Sequence, residues 1–209
     1  MIHAVRFAGF AAGMSFAAAV YGFGAALEGY LQSQYPVALL GADGFPHAQA
    51  FNLIAFVVPG ILAGVAMLAL RHRLPGDAGW LPRIGAQLAL LSALGFAAMG
   101  LLPLDPRDLE GGISRLHGTA WMLWCLAFVV GAALLWFGLR RKHEWSWFAR
   151  ISLAAAAGVP LAAFVLGEAM PAGIAQRIAF GLWFLWLILA GRTSPVAVRD
   201  AGGRRDRTP

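Results

Sequence analysis

A small set of polar side chains interrupts a sequence that is 60% hydrophobic and only 12% charged. The ones that could bind or transform a ligand are Glu28, Asn52, Asp105, His117, Glu168 and Arg177. A histidine beside a carboxylate can act as a general base, and an arginine can bind an anionic group. Ser114, three residues before His117, would complete a serine–histidine–aspartate set in composition. The Gly-x-Ser-x-Gly turn that presents such a nucleophile is absent, and neighbours on one helix make a poor triad.

The histidines and the cysteine do not predict a metal site. Zinc enzymes usually present three protein ligands, whereas only His47 and His117 accompany the candidate residues and no His-Glu-x-x-His motif occurs. A metal shared by His47 and His117 is left open by the sequence. Cys125 is the single cysteine, so it forms neither an internal disulfide nor a paired metal motif. We therefore expect no metal and no cofactor.

Six apolar stretches must position these side chains, since each is long enough to span a hydrocarbon core of ~30 Å. They are Phe7–Leu27, Phe51–Leu70, Ile84–Leu104, Thr119–Leu139, Ile151–Glu168 and Ile174–Gly191. The pattern predicts an all-α, polytopic membrane protein with a six-transmembrane-helix bundle. We expect one domain over residues 1–191 and a flexible basic cytoplasmic tail over residues 192–209.

Basic residues predict the orientation of this bundle. If the chain crosses six times, 13 of its 16 Lys and Arg fall on one side, and only Arg107, Arg115 and Arg177 fall on the other. The positive-inside rule then places both termini in the cytoplasm, in a multi-pass protein of the cytoplasmic (inner) membrane. The basic loops would contact anionic lipids of the cytoplasmic leaflet, which accounts for the high pI without nucleic acid as a partner.

The same topology gathers the candidate residues at the outer helix ends. Charged groups inside apolar sequence are costly and face the bundle interior. Arg177 should therefore pair with Asp105 or Glu168, and His117, which opens the fourth helix, should contact Asp105 directly or through one water. Together with Asn52 and Glu28, these side chains would form a polar pocket. Trp121 and Trp183 would contact the apolar part of a ligand.

Glycines and prolines mark close contacts and breaks in the predicted helices. Gly9-x-x-x-Gly13 and Gly60-x-x-x-Gly64 are typical of helices that pack closely in membranes. Pro59 lies inside a predicted span, where it removes one backbone hydrogen bond and can kink the helix.

Three short motifs resemble those of a known family. The first runs from Leu40 through Asn52 to Pro59-Gly60, the second is Gly100-Leu-Leu-Pro-Leu-Asp105 followed by His117-Gly-Thr-Ala120, and the third is Gly173-Ile-Ala-Gln-Arg177. Their order and spacing resemble the prokaryotic membrane family called domain of unknown function 998, although Leu102 stands where that family usually has phenylalanine. The resemblance implies six helices, no settled activity, and signature positions at Asn52, Asp105, His117 and Arg177. A more distant likeness to eukaryotic six-helix proteins linked to lipid organisation points toward lipids.

The leading functional hypothesis is binding of a membrane lipid or amphiphilic small molecule in an outward-facing polar pocket, without catalysis. One alternative is an intramembrane hydrolase or transferase, with His117 and Asp105 as the acid–base pair and Arg177 stabilising an anionic group. A second alternative is a purely structural subunit of a membrane complex. The sequence does not identify the oligomeric state.

Overall fold

The computed structural model describes residues 5–193 and contains six long helices. They are α1 (Ala8–Ala26), α2 (Ala48–Arg73), α3 (Leu81–Leu101), α4 (Gly112–Leu139), α5 (His143–Ala169) and α6 (Ala172–Gly191). A 3₁₀ helix, Val37–Gly41, lies between α1 and α2, and the described residues include no strand. Each long helix has the length and hydropathy to cross a membrane. The predicted all-α class is confirmed, and so is the number of helices long and apolar enough to span a membrane. Residues 194–209 of the predicted tail lie outside the described chain.

Aromatic side chains fill the centre of the bundle. Phe96 of α3 stacks on Trp183 of α6 with ring centres 4.7 Å apart, and Phe16 of α1 meets Phe180 of α6 at 5.1 Å. Trp124 of α4 packs on the same Phe180 at 5.1 Å. Consecutive helices lie side by side, and α6 contacts α1 as well as α5, so the six helices close into a ring. Burial of these large rings supplies much of the packing between the helices.

Close approach of neighbouring helices depends on glycine. A Cβ on Gly9 would lie 2.7 Å from the carbonyl oxygen of Leu187 on α6, and a Cβ on Gly60 would lie 2.6 Å from the Cβ of Ala97 on α3. Neither contact leaves room for a side chain. The packing role predicted for the two Gly-x-x-x-Gly motifs is therefore confirmed at Gly9 and Gly60.

A π-helical turn adjoins the proline in both α2 and α5. In α2 the turn spans Leu53–Val57, and the Val58 N–H donates into this turn. Pro59 has no N–H, so the carbonyl of Ile54 lacks a donor from its own helix. Ser15 of α1 supplies one, with its Oγ 2.7 Å from that oxygen. A hydrogen bond between α1 and α2 thus replaces the one that Pro59 cannot donate within α2.

The start of α4 differs from the prediction. The helix begins at Gly112 rather than near Thr119, because its first turn is tied to the preceding loop. Ser114 Oγ accepts the backbone N–H of Asp105 at 3.1 Å and lies 3.3 Å from the carbonyl of the same residue. His117 therefore lies in the second turn of α4 and does not open the helix.

The two ends of the bundle differ in charge. The terminal end contains both described chain ends and the α2–α3 and α4–α5 turns, and it carries every described Lys and Arg except Arg107, Arg115 and Arg177. The distal end contains the α1–α2 and α3–α4 loops and most of the acidic residues. At the terminal end, Arg73 Nη1 donates to the carbonyl of Gly191 at 3.2 Å, which joins α2 to the end of α6.

Candidate functional site

Arg177, in the second turn of α6, uses all five of its N–H donors. Nε and Nη2 both donate to Gln32 Oε1, at 3.1 and 2.5 Å. Nη2 also donates to the Tyr30 hydroxyl at 2.8 Å. Nη1 donates to the carbonyl oxygens of Tyr35 and Gly173, at 3.0 and 2.8 Å. Every one of these acceptors is neutral, so the guanidinium is fully hydrogen-bonded but its charge is not balanced by an acid.

The expected ion pair of Arg177 with Asp105 or Glu168 is wrong. The one ion pair within residues 5–193 joins Lys142 to Asp77 at the terminal end. The physical reason lies in the α1–α2 loop, which folds onto the start of α6 and brings neutral oxygens to the guanidinium. Its demand for acceptors is met in this way without a carboxylate.

The loop between α1 and α2, which we call the cap (residues 27–47), is fixed to α1 and α6 by side-chain hydrogen bonds. Gln32 Nε2 donates to the carbonyl of Val20 on α1 at 2.9 Å. The backbone N–H of Val37 donates to Gln176 Oε1 on α6 at 2.6 Å. The cap therefore joins the first and last helices at the distal end.

Tyr30 does not provide the missing negative charge beside Arg177. Burial raises the pKa of the Tyr30 phenol, and this outweighs the opposite effect of the Arg177 hydrogen bond and charge. Tyr30 is therefore a neutral phenol at physiological pH. Its ring centre lies 5.9 Å from the guanidinium carbon, close enough for a cation–π interaction.

Asn52 holds the cap from the side of α2. Its side chain is only 6% exposed, and Nδ2 donates to the carbonyl of Gly41 at 2.8 Å. A Cβ on Gly41 would overlap the Asn52 amide, so glycine permits this contact. A cleft of about 380 Å³ lies beside Asn52 and is also lined by Asp43, Gln49 and Gly100.

His117 and Asp105 have separate partners. His117 Nδ1 lies 2.8 Å from the carbonyl oxygen of Leu102, and because a carbonyl only accepts, Nδ1 carries the proton. Asp105 Oδ1 accepts the backbone N–H of Arg107 at 2.9 Å. Of the expected contact between Asp105 and His117, direct or through one water, the direct form is wrong, because the carboxylate bonds within its own loop and the imidazole satisfies a carbonyl at the end of α3.

The other predicted site residues lie in two different environments. Glu28 and Glu168 are exposed near the ends of α1 and α5. Trp183 is 1% exposed within the aromatic core, and the half-buried Trp121 packs on Phe180 with ring centres 5.3 Å apart. The structure therefore brings Arg177 and Asn52 to the cap and His117 to the end of α3, and none of these three side chains hydrogen-bonds another.

An open groove of about 330 Å³ runs along the outside of the α1–α6 contact. Its walls are apolar and include Phe10, Met14 and Tyr21 of α1 and Gly181, Leu185 and Ile188 of α6. Arg177 is the one charged residue among the described residues that line it, at the distal end. A second hollow of about 460 Å³ shares Phe10 and Ile188 and continues the groove to Arg6 and Arg192 at the terminal end.

Sequence reasoning missed Gln32 and Gly24. A Cβ on Gly24 would overlap Gln32 Nε2, so this glycine lets the amide lie between α1 and Arg177. The available signals were a glycine near the end of an apolar helix and an amide in an apolar loop. Neither signal identifies the partner, since Gln32 and Arg177 are 145 residues apart in the sequence.

The described residues contain no group of three or more His, Cys, Asp or Glu that could hold a metal ion. His47 is exposed at the start of α2 in a left-handed backbone conformation, with φ of 59°. His117 is buried against the end of α3.

No protein-family model, no curated protein and no solved structure matches this chain. Its function is therefore inferred from the geometry of the molecule itself.

Proposed function

We propose that this protein binds a lipid or other amphiphile in the α1–α6 groove, within the membrane, and does not transform it. The supporting observation is an open apolar groove with a single cation at its distal end. Its volume of about 330 Å³ falls within the range of small-molecule sites. The apolar chain of the ligand lies between α1 and α6, and its head group lies at Arg177.

The length of the groove suits a ligand aligned with the membrane lipids. Arg177 lies at one end of the groove, and Arg192 lies at the far end of the hollow that continues it along α6. About 15 residues of helix separate them, which correspond to about 22 Å along the axis at 1.5 Å per residue. This is less than the ~30 Å thickness of a hydrocarbon core. A chain that starts at Arg177 can therefore follow the groove without leaving the apolar layer.

The orientation belongs to the same proposal. The terminal end, rich in arginine, faces the cytoplasm, where it contacts anionic lipids. The distal end, with the cap and Arg177, faces the outer leaflet of the cytoplasmic membrane. The bound amphiphile therefore enters from the outer leaflet.

Filling the groove tests the proposal. Gly181 lies in the groove, and a Cβ there meets nothing within 4 Å, so Gly181→Leu occupies ligand space without disturbing the core. Gly118 of α4 is an equally open helical glycine outside the groove, and Gly118→Leu is the matched control. We expect Gly181→Leu to lower severalfold the lipid that co-purifies in mild detergent, measured by native mass spectrometry, and Gly118→Leu to leave it unchanged.

Equal lipid retention by Gly181→Leu, Gly118→Leu and the parent protein would reject the proposal. Asn52, His117 and Arg177 would then serve the fold alone, as in the structural-subunit alternative. The site geometry does not favour the hydrolase or transferase, because His117 and Asp105 bond to separate backbone groups. Membership of the family called domain of unknown function 998 is likewise a proposal, supported by the three sequence motifs.

A further inference from the structure

We infer that Gln32 occupies the anion-binding edge of Arg177, and that the groove therefore favours lipids whose anionic head group displaces this amide. The inference rests on the proposed function and names the head-group class. Gln32 thus competes with the ligand for the guanidinium of Arg177.

The geometry of the guanidinium supports this assignment. Arginine binds a carboxylate or phosphate through two parallel N–H groups on one edge. On Arg177, Nε and Nη2 form such an edge, and both donate to the single oxygen of the Gln32 amide. An anion would offer each N–H its own charged oxygen, and charge-assisted hydrogen bonds are roughly twice as strong as neutral ones.

The surroundings of Arg177 allow this exchange without loss of its position. Nη1 donates separately to the carbonyls of Tyr35 and Gly173, so these contacts hold the side chain while the other edge opens. No described acid pairs with the guanidinium. An anionic head group would therefore add the charge that the cap does not supply.

Gln32 links the cap to a residue of α1 that lines the groove. Its Nε2 donates to the carbonyl of Val20, and Val20 lines the groove. Displacement of the amide therefore breaks one contact with α1 and two with Arg177. Binding of the head group is therefore coupled to release of this part of the cap from α1.

Three variants test the inference in opposite directions. Gln32→Glu gives Arg177 an internal counter-charge of nearly the same shape, so it should reduce selection of anionic lipid. Gly24→Ala places a Cβ on Gln32 Nε2 and should expel the amide, which frees the edge for a ligand. Gln32→Leu frees the same edge without altering α1, and it serves if Gly24→Ala does not fold. Gly22→Ala, at an open position on the same helix, is the control.

The measurement uses the full chain in detergent with equimolar phosphatidylglycerol and phosphatidylcholine, and native mass spectrometry reports the ratio of the two lipids bound. We expect the parent protein to prefer phosphatidylglycerol. Gln32→Glu should reduce that preference roughly tenfold, the size of one charge-assisted hydrogen bond. Gly24→Ala or Gln32→Leu should increase it, and Gly22→Ala should match the parent.

An unchanged lipid ratio in Gln32→Glu would overturn the inference. If Gly181→Leu still lowers total lipid in that case, the groove binds chains without selecting the head group, and only the inference fails. If Gly181→Leu has no effect either, the proposed function fails as well. Stabilisation by inorganic phosphate alone, with no lipid preference, would assign the edge to a free anion and also overturn the inference.

Discussion

His117 on α4 donates through Nδ1 to the carbonyl oxygen of Leu102, which follows the last residue of α3, at 2.8 Å. The ring is buried, with 8% of its surface exposed. A histidine that sequence reasoning places in an acid–base pair thus satisfies one of the unpaired carbonyls at a helix end.

Replacing His117 should therefore reduce the free energy of unfolding. His117→Leu leaves a partly buried carbonyl without its donor, and we expect a loss of about 1–3 kcal/mol. His117→Asn carries an amide N–H the same number of bonds from the backbone and should recover part of this loss. Thermal unfolding in detergent measures both. Equal stability of the Leu and Asn variants would show that the hydrogen bond to Leu102 contributes nothing.

Arg177 should be needed for the conformation of the cap. Arg177→Leu removes the four hydrogen bonds that the guanidinium makes to the cap, two to Gln32 and one each to Tyr30 and Tyr35. Arg177→Lys keeps the charge but lacks the planar fork, so it should recover little. We expect amide hydrogen exchange over residues 27–47 to become faster in both variants. Arg115→Leu, which removes an exposed arginine at the same end, is the control.

Protection of residues 27–47 in Arg177→Lys at the level of the parent would contradict this account. A positive charge alone would then be sufficient to hold the cap, and the geometry of the guanidinium would be irrelevant.

Sequence reasoning found the six spans because the signal is local. Each span is a continuous apolar stretch, and a backbone in hydrocarbon must satisfy its own hydrogen bonds as a helix. The start of α4 was missed because its first turn, which includes Ser114, is stabilised by contacts with a loop and not by hydropathy.

The partners of the polar residues were not predictable in the same way. Sequence reasoning identified Arg177 as a residue that needs acceptors, and the structure meets that need with an amide, a phenol and two carbonyls. Every residue has a backbone carbonyl, so the amino-acid sequence does not indicate which of them accepts a hydrogen bond. A search for partners by residue type therefore favoured Asp105 and Glu168. The same bias paired His117 with Asp105 rather than with Leu102.

Cysteine labelling should establish the proposed orientation. Asp77 and Asp108 are exposed in loops at opposite ends of the bundle, whereas the native Cys125 is buried. In intact cells, an impermeant thiol reagent should label Asp108→Cys and spare Asp77→Cys. In permeabilised cells the reagent should label both variants, and the parent protein is the control for labelling of Cys125. The reverse pattern would place the cap and Arg177 in the cytoplasm.

The hydrogen bond from Ser15 to Ile54 should matter because Pro59 cannot supply the donor that this carbonyl needs. We expect Ser15→Ala to reduce the free energy of unfolding by about 1 kcal/mol, the net value of a typical hydrogen bond. In a Pro59→Ala background the restored N–H can satisfy the turn from within α2, so the same serine substitution should cost less. Thermal unfolding of the two single variants and the double variant forms a double-mutant cycle. A coupling free energy of zero would mean that Ser15 acts independently of the proline, and the π-helical turn would need a different explanation.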